Sequence, residues 1–131
     1  MTSNTATEDG GGIYNNGGTL SVYGSNNSGT RQHMTVDLGS NNAGDAGAGL
    51  YQTGSSASAY FSGASIVGNQ VTGGNNRGGC CCIDGGNVEF VSYCFIDSNT
   101  ATTGSAIAFK SPGAGYSIDP TCTVNGTIQS Y

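Results

Sequence analysis

Short alternations of apolar and polar residues run along this chain, and helical spacing does not. They occur in TLSVY at residues 19–23, NVEFV at residues 87–91 and YSI at residues 116–118, with Gly or Asn between them. Alternation points successive side chains to opposite faces of a strand, whereas a helix needs apolar residues about every three to four positions. Gly, Asn and Thr are also poor helix formers. The pattern predicts an all-β chain of short strands joined by tight turns.

An Asn that follows an apolar residue by three positions recurs along the chain at intervals of 26 to 37 residues. The side-chain amide of Asn both donates and accepts hydrogen bonds, so copies in neighbouring repeats can bond to one another and to the bend around them. The pattern therefore predicts a structural ladder of stacked residues, whose members are Asn4, Asn41, Asn69, Asn99 and Asn125. The apolar residues that precede them define a first inward column, which holds Leu38, Ile66, Ile96 and Cys122.

A second set of apolar positions lies in the stretches GGGIYNNGG, GAGLYQTGS, GGCCCIDGG and GSAIAFKSP. The fourth residue of each stretch occupies an equivalent position, which predicts a second inward column of Ile13, Leu50, Cys81 and Ile107. A third alternation follows in each repeat and supplies a third inward column that includes Val22, Phe90 and Ile118. Each repeat is therefore expected to contain three short strands with one inward column per strand.

Stacked repeats of this kind are typical of a parallel β-solenoid, because one coil cannot bury its apolar face alone and must pack on its neighbours. We expect one domain over residues 1–131, made of about four coils at roughly 1–37, 38–65, 66–95 and 96–131. Chance recurrence in a chain rich in Gly, Asn and Ser is one alternative. An antiparallel β-sandwich is another, but it does not predict that Ile13, Leu50, Cys81 and Ile107 occupy equivalent sites.

The repeat resembles that of a known family. FIDSNTATTGSAI at residues 95–107 is similar to the F-x-x-N-x-A and G-G-A-I repeat of polymorphic outer membrane proteins, with matching residues Asn99, Ala101, Gly104, Ala106 and Ile107. NTATEDGGGIY at residues 4–14 and NNAGDAGAGLY at residues 41–51 resemble the same repeat. The resemblance covers essentially the whole chain. It implies a right-handed parallel β-helix, like autotransporter passengers, that serves display, adhesion or structure at the cell surface.

Charge and composition narrow the partners that the chain can have. The 131 residues include 24 Gly, 8% are charged, and the net charge is −5. Arg31, Arg77 and Lys110 are too few bases to neutralise a run of phosphates, so nucleic acid and anionic membranes are disfavoured. No apolar run approaches the length of about 20 residues that spans a bilayer. The first residues show no signal-peptide pattern, which leaves an intracellular location open beside the extracellular or cell-surface one.

The acidic residues do not form the cluster expected of an enzyme. Cleavage of a glycoside requires two carboxylates about 5 to 9.5 Å apart. Only Asp37 and Asp97 are expected on one outward face, and the two coils between them correspond to about 9.6 Å. We therefore expect no catalytic residue, metal site or cofactor. A carbohydrate-binding or polysaccharide-cleaving β-helix is the alternative.

Five cysteines, three of them consecutive, have neither zinc-ribbon nor haem-attachment spacing. Cys81 and Cys94 fall on inward positions, where a free thiol behaves as a small apolar side chain. Alternation along the strand then places Cys80 and Cys82 on the outer surface. In an oxidising environment these two thiols could cross-link chains.

Tyrosines are expected on the outer faces of neighbouring coils. Tyr14 and Tyr51 occupy equivalent positions, and Tyr23 and Tyr60 form a second pair. Aromatic rings with a polar tip suit the binding of a glycan or a partner protein, although cross-strand packing within the sheet explains the same pattern. A sequon at Asn26 would carry a glycan only if the chain is secreted.

Both ends of the sequence lie in the same phase of the repeat. The sequence begins three residues before Asn4 and stops six residues after Asn125. An uncapped solenoid exposes unpaired strand edges, which pair readily with another chain. We expect a noncatalytic structural or adhesive protein whose copies stack end to end into a fibre, or which forms part of a longer surface protein. An intracellular structural repeat protein in a larger assembly is a further alternative.

Overall fold

The computed structural model describes residues 1–25 and 36–131. Asn26, with its sequon, and Arg31 lie outside the described residues. All regular structure of the described residues is β-strand and all strand pairing is parallel, which confirms the predicted all-β class. In this part of the chain, no helix is long and apolar enough to cross a bilayer.

The described strands form four parallel sheets, numbered in the order in which the chain first reaches them. Sheet 1 contains β1 (Thr5–Ala6), β5 (Asn42–Ala43) and β9 (Gln70–Val71). Sheet 2 contains β2 (Ile13–Asn16), β6 (Leu50–Thr53), β10 (Cys81–Ile83), β13 (Ile107–Phe109) and β16 (Ile128–Ser130). Sheet 3 contains β3 (Thr19–Tyr23), β7 (Ser58–Ser62), β11 (Gly86–Val91) and β14 (Ala114–Ile118). Sheet 4 contains β4 (Asp37–Gly39), β8 (Ser65–Val67), β12 (Phe95–Asp97) and β15 (Thr123–Val124).

In its first three passes the chain forms one strand in each of the four sheets, always in the same order, and one such series is called a pass. After the fourth pass, β16 follows β15 without a segment in sheet 1. Each strand pairs with the strand of the same sheet from the pass before and with that from the pass after. Parallel strands cannot be joined by a hairpin, and here the connection between them runs through the other three sheets. Among the described residues, the fourth pass joins sheet 1 through the bridge between Gln70 and Thr100. This arrangement is consistent with a β-solenoid.

The register of the sheets aligns apolar residues in three inward columns. In sheet 2 they are Ile13, Leu50, Cys81 and Ile107. In sheet 3 they are Val22, Phe61, Phe90 and Ile118. In sheet 4 they are Leu38, Ile66, Ile96 and Val124. The columns meet in one apolar core, where the rings of Phe61 and Phe90 stack with centroids 5.4 Å apart.

A glycine with positive φ begins the approach to sheet 2 in every pass. These residues, each three positions before the inward residue of sheet 2, are Gly10, Gly47, Gly78 and Gly104, with φ between 59° and 72°. A Cβ on Gly104 would lie 2.2 Å from the backbone oxygen of Ile107. Only glycine combines this backbone conformation with so close an approach of the following strand.

The structure has four parallel sheets, whereas the sequence predicted three strands per repeat. The unforeseen sheet 1 consists of two-residue strands that come directly after Asn4, Asn41 and Asn69. Two residues are too few to show an alternation of apolar and polar side chains. The sheet forms through backbone groups instead, as where the N–H of Asn42 donates to the oxygen of Asn4 at 2.8 Å.

The last pass is displaced by two residues from the predicted register. Val124 and not Cys122 pairs with Ile96, so Asn125 aligns with Asp97, to which its Nδ2 donates at 3.0 Å. The predictions that Cys122 follows Ile96 and that Asn125 belongs to the ladder are therefore wrong. The physical reason is length, because only three residues separate Val124 from the next inward residue at position 128, too few to form the bend that holds a ladder Asn.

A charged side chain at a buried position of sheet 2 should unfold the protein. We expect Ile107→Asp to lower the free energy of unfolding by at least about 3 kcal/mol, because Ile107 is 0% exposed and a buried carboxylate loses its hydration. Ile128→Asp is the matched control, since Ile128 pairs with Ile107 in the same column but is 36% exposed. Urea unfolding followed by circular dichroism measures both variants, and equal effects would contradict the inward placement of Ile107.

Candidate functional site

Four of the five predicted Asn residues form a hydrogen-bonded ladder. The side chain of each donates from Nδ2 to the Oδ1 of the next, from Asn4 to Asn41 at 2.8 Å, and from Asn41 to Asn69 and Asn69 to Asn99 at 2.9 Å. The backbone N–H of the same donor residues reaches the same acceptors at 3.0 to 3.1 Å. Every bond runs in one direction, from an earlier pass to a later one. The ladder therefore has a direction along the stack, and its two ends are different.

The ladder also satisfies backbone carbonyls of the bend. Nδ2 of Asn69 donates to the oxygen of Leu38, and Nδ2 of Asn99 donates to the oxygen of Ile66, both at 2.9 Å. Asn41, Asn69 and Asn99 are buried, whereas Asn4 is exposed at the end of the stack. Because buried amides are costly unless they are fully paired, the ladder fixes the bend in each pass.

The residue before each ladder Asn adopts a left-handed backbone conformation. Its φ is 57° at Ser3, 53° at Ser40, 70° at Gly68 and 54° at Ser98. Non-glycine residues rarely occupy this region. Its recurrence at one position of the bend shows that the same turn is built in four successive passes. A Ser or Gly before Asn is thus a sequence signal for this turn that the analysis of apolar columns did not use.

A second polar stack, which the sequence analysis missed, lies in sheet 2. Nδ2 of Asn15 donates to Oε1 of Gln52 at 3.0 Å, and Nε2 of Gln52 donates to the oxygens of Gly85 and Asn87 at 3.2 and 3.0 Å. Both Asn15 and Gln52 are buried. The available signal was their shared position, since Asn15 follows the inward Ile13 by two residues and Gln52 follows the inward Leu50 by two residues. It was weak because the two side chains differ in type.

Tyr14 and Tyr51 stack on the outer face of sheet 2. They pair in register, and their ring centroids are 5.4 Å apart with planes inclined by 27°. Tyr14 is 55% exposed, whereas burial and the nearby Asp84 raise the pKa of Tyr51. The stack covers one face of each ring, and Tyr14, on the outermost strand of sheet 2, stays accessible to a partner.

Tyr23 and Tyr60 form a looser pair on the outer face of sheet 3. Register places Tyr23 beside Ser62 and Tyr60 beside Ser21, so the two tyrosines are diagonal neighbours and do not share a position. Their ring centroids are 5.6 Å apart and the planes are inclined by 48°. Diagonal contacts of this kind are within reach of aromatic side chains.

The structure buries Cys80 and Cys82, so the prediction that they lie on the outer surface is wrong. Cys80 precedes β10, at a bend where strand alternation does not apply, and its Sγ lies 3.3 Å from that of Cys81 in the core. Cys82 points outward but is covered by Tyr51 and Tyr131. Burial raises the pKa of the Cys80 thiol and raises that of Cys82 to about 12. Protonated, inaccessible thiols do not favour cross-linking.

Tyr131 anchors the end of the described chain on the outer face of sheet 2. Its ring lies 4.0 Å from the guanidinium carbon of Arg77. Its hydroxyl donates to Oδ1 of Asp84 at 3.3 Å and lies 3.4 Å from Sγ of Cys82, and Asp84 also pairs with Lys110 at 3.1 Å. Sequence reasoning missed this cluster because its members are scattered over 55 residues and follow no repeat.

Asp37 and Asp97, the two acidic residues expected on one outward face, lie apart in the described structure. Asp37 aligns with Phe95, and Asp97 is displaced from it by two register positions as well as two passes. Asp97 accepts hydrogen bonds from Ser98 and Asn125. Over residues 1–25 and 36–131, no pocket and no group of three or more potential metal-ligating side chains is found.

Comparison with known proteins identifies no relative of this chain. No family model, curated protein or solved structure matches the chain. The function must therefore be argued from the residues and their geometry.

Replacement of a central ladder residue should cost more stability than replacement of the terminal one. We expect Asn69→Leu to lower the free energy of unfolding by about 3 kcal/mol, because it leaves the donors of Asn41 and the oxygen of Leu38 unpaired in the core. Asn4→Leu, at the exposed end, should cost less than about 1 kcal/mol. Thermal and urea unfolding provide the comparison. Similar losses in the two variants would show that the ladder does not fix the bend.

Native protein should react slowly with an aromatic disulfide reagent. Cys80, Cys81, Cys82 and Cys94 are buried, and only Cys122 is partly exposed. We expect one thiol to react in the native protein, with the others at least about a hundredfold slower than in urea. Cys122→Ser should remove the fast reaction. Fast labelling of Cys82 in the native protein, located by peptide mass mapping, would contradict its burial.

Proposed function

We propose that this chain is a noncatalytic structural repeat protein whose passes are coils of a right-handed parallel β-helix. Right-handedness follows the general rule for crossover connections between parallel strands of one sheet, and the family resemblance implies it as well. The observation that carries the proposal is the continuity of the stack. Inward columns, the Asn ladder and backbone pairing all run from pass to pass, so the polar groups of the bends are used to build the scaffold.

Self-association is part of this proposal. Several inward side chains of the first and last passes are only partly buried, and these residues include Ile13, Leu20, Val22, Ile118 and Val124. In sheets 2 and 3, each outermost strand has one edge without a partner among the described residues. The outer edges of β4 and β9 are bridged by Thr2 and Thr100. Exposed strand edges that carry apolar side chains are templates for pairing with another chain. We infer that other copies of the chain supply these partners, so that the protein builds fibres.

An adhesive role would use the outer faces that carry the tyrosines. The stack covers one face of each ring, and Tyr14 on the outermost strand is 55% exposed. An accessible aromatic ring with a hydroxyl suits either a glycan or a partner protein. The separation of Asp37 and Asp97 in register favours a scaffold over a polysaccharide-cleaving enzyme. An extracellular or cell-surface location rests on the family resemblance, and an intracellular assembly is the competing location.

Light scattering across a concentration series, followed by electron microscopy, tests self-association. We expect the average molar mass from light scattering to rise with protein concentration. Electron micrographs should show filaments of uniform width. Leu20→Lys should suppress assembly, because Leu20 is a partly buried inward residue of the first pass. Ser21→Lys, at the neighbouring exposed position, is the matched control and should assemble normally. A protein that stays monomeric at all concentrations, with circular dichroism unchanged, would overturn the fibre proposal.

A further inference from the structure

Two cysteines lie side by side where the third pass meets the fourth. Phe95 of β12 pairs in register with Thr123 of β15. The residues just before them are Cys94 and Cys122, which therefore occupy equivalent positions in neighbouring passes. The backbone N–H of Thr123 donates to the oxygen of Cys94 at 2.9 Å, and this bond holds the two backbones together beside the thiols.

The two thiols end an inward column of sheet 4. Val36 and Ala64 precede β4 and β8 in the same way, and they occupy the first two positions of this column. All four side chains belong to the main apolar core or pack against it. The two-residue displacement of the last pass brings Cys122 beside Cys94, whereas the sequence pattern predicted it beside Ile96. The observed register thus creates a pair of thiols that the spacing of the repeat concealed.

The geometry of the pair suits a disulfide. Neighbouring parallel strands bring equivalent Cα atoms to about 4.8 Å, and a disulfide spans roughly 4.4 to 6.8 Å between Cα atoms. Burial and, to a smaller extent, the neighbouring Cys122 raise the pKa of Cys94 to about 11, as expected of two thiols that lie close together. Strand β15 pairs with β12 alone among the described strands, so the backbone at Cys122 can adjust to the bond.

The two thiols differ in their access to solvent. Cys94 is 1% exposed, and its Sγ is hydrogen-bonded to the backbone oxygens of Phe61 and Val91 at 3.3 and 3.2 Å. Cys122 is only partly buried. A dissolved disulfide can therefore reach Cys122 and not Cys94. This is the arrangement of an attacking thiol with a resolving thiol beside it.

We propose that Cys94 and Cys122 form a disulfide that links the third pass to the fourth in an oxidising environment. In the first step, the Cys122 thiolate attacks a sulfur of a low-molecular-weight disulfide such as glutathione disulfide. One small thiol leaves, and a mixed disulfide remains on Cys122. In the second step, Cys94 gives its proton to solvent, attacks Sγ of Cys122 and expels the second small thiol. Two protein thiols thus lose two electrons and two protons, and one small disulfide becomes two thiols.

The remaining cysteines do not offer an equivalent pair. Cys80 and Cys81 are neighbours in sequence, and their Cα atoms are held about 3.8 Å apart by the trans peptide, which is shorter than an unstrained disulfide allows. Both are 0% exposed, so a dissolved disulfide reaches neither of them. Cys82 is covered by Tyr131. Cys94 and Cys122 are therefore the pair that oxidation selects.

The link restrains the part of the stack that is held least firmly. Strand β15 contains two residues and has one neighbouring strand in sheet 4, so it opens more easily than strands between two neighbours. A bond between Cys94 and Cys122 ties it to β12 and lowers the conformational entropy of the unfolded chain.

The state of the pair also depends on the compartment. Disulfides persist at cell surfaces and are rare in a reducing cytosol. The link is therefore closed in an extracellular protein and open in an intracellular one. This inference goes beyond the proposed function, because the bond forms within one chain and needs no contact between copies.

Oxidation of the purified protein with glutathione disulfide at mildly alkaline pH tests the link. After alkylation in urea, the reduced protein should carry five alkyl groups and the oxidised protein two fewer. Peptide mass mapping should recover Cys94 and Cys122 as one linked pair. We expect the melting temperature of the oxidised protein to lie about 5 to 10 °C above that of the reduced protein. A reducing agent should reverse both changes.

Replacement of either cysteine separates the two steps. Cys94→Ala is the matched control for the second step, because Ala64 occupies the same position one pass earlier. This variant should keep a glutathione adduct on Cys122 and show no rise in melting temperature. Cys122→Ala should form neither the adduct nor the link. Circular dichroism verifies that both variants are folded.

Three outcomes contradict the proposal. They are a stable glutathione adduct on Cys122 of the parent chain, a disulfide between Cys80 and Cys81, and a disulfide between two chains. None of these outcomes depends on whether copies assemble, so the link and the proposed function are judged separately.

Discussion

In-register parallel pairing is the constraint on which the rest of this structure depends. Strands of a parallel sheet lie about 4.8 Å apart, so each side chain contacts the residue at the same position in the neighbouring pass. Such stacking is favourable for apolar side chains, for Asn on Asn and for aromatic rings, and it is unfavourable for like charges. A chain with 8% charged residues and recurrent Asn, Gly and small apolar residues meets this condition. The low charge is thus a consequence of the architecture as much as a property of the surface.

The Asn ladder gives the stack of passes a direction. Each amide donates toward the later pass, and each Oδ1 accepts from the earlier one, so the two ends of the ladder differ chemically. The left-handed residue before each Asn repeats the same turn, which keeps the inward columns of sheets 2 and 4 in phase across the bend. In the proposed self-association, this direction favours head-to-tail contacts over a symmetric dimer, because the two ends of the ladder differ.

The outer surface is where the passes differ, and in the proposed function it is the surface that a partner contacts. On the outer face of sheet 2, the tyrosines of the first two passes give way to Cys82 and Ala108, which Tyr131 covers. The two halves of this face thus have different roles in the proposed function. One half carries the exposed Tyr14, while the other half is covered by Tyr131. The thiol of Cys82 is shielded by Tyr131, which contacts it directly.

The sequence by itself determined the elements that depend on local repetition. Alternation gave the strands, and residues such as Leu50, Ile107 and Asn69 could be aligned because their neighbours recur at fixed offsets. Only the tertiary structure decided the positions that the local repeat does not predict. Cys80 is buried because the chain bends before β10, and Cys82 is buried because a residue far along the chain covers it. Asn125 follows an apolar residue by three positions, as the other ladder residues do. The link from β15 to β16 is too short for the bend that a ladder Asn needs. The spacing before an Asn does not reveal the length of the link after it.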